Sequence, residues 1–185
     1  MTSAMGSTVD KPTASNALYE QDFYAWTQEQ VRLLKLGQLS RVDLKNLIEE
    51  VEDMGRSEMR SLRSAIKQAL LHLTKMAYSP ADDPRGDWQV SVMNQRVEIE
   101  ELLRDNPSLK SKIGEMFREA WPDARKMAIV ELGAHGESPQ IPEEPPFDLN
   151  QLRDEKFIPA KGSSAQAKVK TNWRGPSMPP IDKKR

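Results

Sequence analysis

An all-α fold, an antiparallel helical bundle with one long central helix and disordered termini, is what this sequence predicts. Three observations carry it. Apolar residues recur every three or four positions from Ala17 to Leu132, the spacing of a helix face. No segment alternates apolar and polar residues with the β-branched enrichment of a strand. Turn-forming stretches fall where the periodicity resets, at Gly37, SPADDPRGD, Asn106-Pro107 and Gly133.

The first helical segment, ALYEQDFYAWTQEQVRLLKLG, sets Tyr19, Phe23, Trp26 and Leu33 on one face. Asn16 is its expected N-cap, and Gly37 its expected left-handed terminator. Ser40 and Asp43 then form a short variant of the capping box. The next pattern runs from about Arg41 to Tyr78. On a helical wheel Ile48, Val51, Gly55, Leu62, Ile66, Ala69 and Leu73 all fall within roughly 40° of Leu44. The Met54-Gly55 pair marks an expected kink or close helix contact. Asp87 is the expected cap of a third helix, WQVSVMNQRVEIEELLRD, and Asn106-Pro107 restarts a fourth. Pro122 lacks the N–H for its intrahelical bond, so a break is expected near Trp121. Beyond Gly133 the prolines impose extended chain, with Asp148 capping one short helix.

A chain of 185 residues, 37% apolar and 30% charged, fits one helical domain (17–159) between a polar arm (1–16) and a tail (160–185). It has no cysteine, which excludes disulfides, thiolate zinc sites and cysteine nucleophiles. No apolar run approaches the roughly 20 residues of a membrane span. The first residues have no apolar signal region, so a cytoplasmic location is expected. The net charge of −1 conceals an asymmetry. The tail holds seven bases against the single acid Asp182, a net +6, which leaves −7 for the rest. Among those bases Lys168, Lys170, Arg174, Lys183, Lys184 and Arg185 are candidates for weak phosphate contacts with nucleic acid.

Several landmarks stand in a distinctive order: Tyr19-Glu20-Gln21-Asp22-Phe23 with Trp26, the stretch NLIEEVEDMGRSE, Leu71-His72-Leu73 with Lys75, and Trp88 with Arg96. Pro107-Ser108-Leu109, Ala124-Arg125, Pro145 and Phe157-Ile158-Pro159 follow. With these the chain resembles the bacterial domain-of-unknown-function family 29 (DUF29) over residues 18–159. Pro122 departs from the uninterrupted helix of that pattern. The resemblance implies a helical fold and no particular activity.

The acidic run is the main opening towards chemistry. On the wheel Glu49 and Asp53 oppose the apolar stripe, so most of the run reads as a solvated helix face. A metal reading competes with it. Glu49-Glu50-x-x-Asp53 is similar to the E-E-x-x-E signature of all-α nucleoside triphosphate pyrophosphohydrolases, which hold Mg²⁺ with carboxylates from two helices. Glu98 and Glu101 only approximate their second motif. His72 lies at the edge of the stripe, where a hydrogen-bonded border role is expected. His72 and His135 form no triad or zinc motif, and no phosphate-binding glycine loop is present. No cofactor is expected.

Two charges break the packing faces. Glu58 lies within the stripe of the long helix, and Arg96 lies between Trp88, Val92, Ile99 and Leu103. A buried charge needs a partner. Arg96 is therefore expected to pair with Glu58, or with Glu50, in a buried polar network or ligand pocket that also includes His72. The functional expectation is a non-enzymatic interaction module that meets a protein or nucleic-acid partner. Its alternative is a Mg²⁺-dependent phosphohydrolase. The aromatic first helix adds the expectation of a homodimer.

Overall fold

The computed structural model describes residues 14–162. Among these residues there is no strand. The α-helices are α1 (Ala14–Gln21), α2 (Phe23–Lys35), α3 (Leu44–Tyr78), α4 (Arg85–Asp105), α5 (Ile113–Ala134) and α6 (Leu149–Arg153), with 3-10 turns at Leu39–Arg41 and Pro107–Ser111. The expected all-α bundle with one long helix is thus the architecture of this chain. The arm and the basic tail fall almost entirely outside the described residues, and with them the phosphate-contact candidates from Lys168 to Arg185. The chain divides into two compact units between Ser61 and Leu62, inside α3.

In the N-terminal unit, Asp22 splits what the periodicity reads as one helix. Its φ of −150° and ψ of 86° leave the helical region, and its side chain accepts the Ala25 amide at 2.9 Å. Asp22 thereby caps α2, while Asn16, the expected cap, lies inside α1. Gly37 ends α2 as expected, at φ 67°. The Gly37 and Gln38 amides donate to the Leu34 and Leu33 carbonyls, a Schellman ending.

Ser40 does not cap the long helix, because it sits in a 3-10 turn. Asp43 does so, and α3 begins at Leu44 rather than Arg41. The Asp43 carboxylate accepts from the Asn46 amide at 3.4 Å, the Asn46 side chain at 2.9 Å and Trp26 Nε1 at 3.3 Å. The Asp43 amide in turn donates to Gln30 Oε1 at 2.8 Å. This network surrounds a small apolar core of Trp26, Leu33 and Val42.

In the C-terminal unit, three helices run up, down and up. Ion pairs Arg63–Asp123 at 2.9 Å and Lys75–Glu131 at 2.6 Å climb α3 and α5 together, so these two helices are parallel. From α3, Leu62, Ile66, Ala69 and Leu73 are fully buried. From α4, Trp88, Val92, Ile99 and Leu103 join them at the expected spacing, with Arg96 buried in the same stripe. From α5, Ala120, Ala124 and Ala128 alternate with bulkier Phe117, Trp121 and Leu132. The chain then returns along α5 as a strap. The carbonyl of Glu143 accepts Trp121 Nε1, and those of Ile141 and Pro142 accept Arg125 Nε at 3.1 and 2.8 Å. Asp148 caps α6 in a full capping box with Gln151, as expected.

Local expectations are corrected at five places. Asp87 sits in the first turn of α4, behind the N-cap Pro84, where its charge faces the positive end of the helix dipole. Asn106-Pro107 starts a 3-10 turn, and α5 waits until Ile113. The helix passes unbroken through Pro122, whose exposed position leaves the orphaned Arg118 carbonyl on the water side. Gly136 at φ 79°, rather than Gly133, terminates α5. Finally, α3 is continuous across Met54-Gly55, and a Cβ on Gly55 would meet nothing within 4 Å. Among the described residues Gly55 makes no close contact with another helix.

Candidate functional site

The apolar stripe of α3 is buried only in its second half. Leu44, Ile48 and Val51, expected in the core, are 55%, 57% and 61% exposed. Among the described residues of this unit, the helices that could cover this half of α3 are the short α1 and the 13-residue α2. Of fourteen exposed large hydrophobic residues among the described ones, eleven lie between Phe23 and Met59, and the other three (Val90, Val97, Val130) lie in the C-terminal unit.

Part of this surface is a groove of about 390 Å³ between α2 and α3. Phe23, Thr27, Val31 and Leu34 line it from α2, and Leu47, Val51 and Met54 from α3. The α2 positions follow a second apolar stripe, spaced four, four and three, beside the buried one through Trp26 and Leu33. That second stripe is the signal for the groove that the sequence carries. At one end Tyr19, Phe23 and Trp26 cluster, with ring centroids 4.9 to 5.9 Å apart. Tyr19 donates its hydroxyl to Glu50 at 2.5 Å, which pushes the phenol up to about 12.

The metal candidates are not brought together. Glu50 is engaged by Tyr19, and Arg56 takes Asp53 at 2.6 Å and Glu52 at 3.2 Å. Glu49 and Glu98 are exposed, and Glu101 faces Arg104 at 3.9 Å on its own helix. Among the described residues no group of three or more His, Asp or Glu side chains is placed to hold a metal ion.

Arg96 is buried, as its place in the stripe implies, but its partners differ from those expected. Its guanidinium donates to the carbonyls of Leu152 (2.7 Å), Phe157 (2.9 Å), Gln151 (3.1 Å) and Glu155 (3.4 Å). Glu58 is exposed, and Glu50 is occupied by Tyr19. The last turn of α6 supplies carbonyls that have no partner inside a five-residue helix, and the Arg96 donors satisfy them. Burial pushes the guanidinium down, while Asp154 and Glu155 oppose that shift. Beside it Arg153 grips Glu100 at 2.7 and 2.9 Å. This is a structural latch that fastens the strap to α4.

His72 stands at the edge of the core, but among the described residues its Nδ1 is buried without the expected hydrogen-bond partner. Lys75, one turn on, reaches Glu131 at 2.6 Å and lies 4.8 Å from the centre of the Trp88 ring. Desolvation first, and then the Lys75 charge, lower the His72 pKa, with Glu131 opposing. The unfolded chain therefore binds this proton more readily than the folded one. Stability at this site is complete above the unfolded value of 6.5 and falls as pH drops below it, until the folded-state pKa is reached. Thermal melts between pH 7.5 and 5 are expected to show this loss, and His72→Gln should flatten it. An unchanged slope in the variant would assign the loss to another group.

The family model described as "Domain of unknown function DUF29" matches residues 18–158. No curated protein and no solved structure matches the chain. Among the described residues, no helix is long and apolar enough to cross a membrane.

Proposed function

Since the chain belongs to the DUF29 family, whose description names no activity, we propose on physical grounds that it is a non-enzymatic protein-interaction module. Its docking surface is the apolar face of α2 and the first half of α3. One observation carries this reading: eleven large apolar side chains are concentrated on the exposed surface of one small helical unit. A monomer's apolar patches rarely exceed a few hundred Å², and larger ones mark binding surfaces. The groove suits an amphipathic helix, which would seat residues spaced three and four apart between Phe23, Val31 and Met54.

Affinity capture from a host extract tests this reading. The immobilised chain should retain a defined protein that Val51→Asp loses, because a carboxylate in the groove must be desolvated for docking. Val51 is 61% exposed, so the variant should fold. Equal retention by both forms overturns the reading.

The Mg²⁺-dependent alternative has no favouring observation, since its carboxylates are engaged by Tyr19 and Arg56 or stand apart in water. Millimolar Mg²⁺ or Mn²⁺ is expected to leave the thermal midpoint unchanged. A ligand that prefers the native state must raise it, so a rise abolished by Glu50→Gln would restore the metal reading.

A further inference from the structure

We propose that the middle of α3 is a hinge: the stretch from Val51 to Arg60 opens transiently from helix to coil about Gly55, while the packed ends of the helix stay folded. This hinge is a property of the chain alone and does not depend on the docking surface.

Burial gives the first reason. Every residue from Val51 to Arg60 is exposed, whereas α3 buries Asn46 before this stretch and Leu62, Ala65 and Ile66 after it. Val51 and Met54 are 61% and 68% exposed even though they border the groove. Consecutive exposed residues point in every direction around a helix, so the backbone hydrogen bonds here lie close to water all round. The stretch is about three turns long, and helices shorter than about 12–15 residues are marginal in water without packing.

Composition gives the second. Gly55 stands at its centre, and after proline glycine is the poorest helix former. Among the described residues nothing beyond the local helix lies within 4 Å of where its Cβ would stand, so packing does not require a glycine there. Asp53 and Ser57 are weak helix formers as well. Arg56 reaches Asp53 at 2.6 Å and Glu52 at 3.2 Å, with all three side chains about half exposed. Exposed pairs three and four residues apart add little, and salt screens them. A segment with few buried contacts and solvated hydrogen bonds opens far more often than the cores beside it. α3 is helical at each of these positions, so the opening is a transient excursion and not a fixed kink.

Hydrogen exchange on the full chain tests this. Amides of residues 55–60 should exchange about a hundredfold faster than those of 66–76. Gly55→Ala, for which there is room, should slow them about fivefold, because alanine favours the helix. Gly55→Pro should remove their protection and leave that of residues 62–132 intact. In the native chain trypsin should cut after Arg56 or Arg60 before it cuts at Lys67, Arg118 or Lys126, which lie on packed helices. The absence of cysteine also allows spin labels at Lys45→Cys and Ser64→Cys, both exposed and about 29 Å apart along a continuous helix. Their distances should spread below that value, and adding Gly55→Ala should narrow the spread. Equal protection at 55–60 and 66–76, or one narrow distance, overturns the hinge. Exchange indifferent to Gly55→Ala overturns its placement at Gly55. Loss of protection across 62–132 in Gly55→Pro overturns the independence of the packed ends.

Discussion

Replacing Arg96 with alanine is expected to cost about 3–5 kcal/mol and to free the strap from the C-terminal unit. The estimate follows from what the guanidinium touches. It serves four backbone carbonyls, three of them at 3.1 Å or less, and each buried acceptor left without a donor costs about 1–3 kcal/mol. Water entering the vacated space would recover part of that, which holds the total below the simple sum. Arg96→Lys should recover little, because one ammonium cannot span carbonyls that extend from Gln151 to Phe157. Chemical denaturation gives the magnitude. Hydrogen exchange gives the location: amides of residues 149–159 should lose protection first. Glu49→Ala, at an exposed position, should stay within about 0.5 kcal/mol. Equal, small effects at both positions would mean that the carbonyls do not depend on Arg96.

Trp26→Ala is the second large effect, again about 3–5 kcal/mol, the usual loss for a buried tryptophan. Among the described residues only Leu33 and Val42 accompany Trp26 in the apolar core of the N-terminal unit, so most of that described core goes with it. The indole also donates to Asp43, the residue that caps α3. Protection is therefore expected to fall across residues 23–42 while the amides of 62–132 keep theirs. Trp26→Phe retains most of the buried area but not the donor, and should cost roughly 1–2 kcal/mol. Uniform loss of protection along the chain would show instead that the two units unfold as one.

The core of the C-terminal unit was legible in the sequence because periodicity there reports burial directly. Trp88, Val92, Ile99 and Leu103 recur at helical spacing and all lie in the core. The glycine terminators were legible to within a turn, since a left-handed position is a local demand: Gly37 ends α2 as expected, and Gly136 stands three residues beyond the expected Gly133. Asp22 was misread because a cap and an exposed helical acid look alike until the backbone turns.

The sequence by itself determined an all-helical chain, a continuous stripe from Leu44 to Leu73 and a charge at Arg96 that had to be answered. Tertiary structure alone decided which half of that stripe is covered and what answers the charge. Periodicity shows that a face is apolar, but not whether the chain has another element long enough to lie on it. The first half of α3 has α2 beside it and remains half open, whereas the second half has α4 and α5. Likewise a buried guanidinium can be satisfied by a carboxylate or by backbone carbonyls, and only side-chain carboxylates are visible in a sequence. The carbonyls at the end of α6 become acceptors for Arg96 because the fold brings a short helix, with its unpaired last turn, against α4.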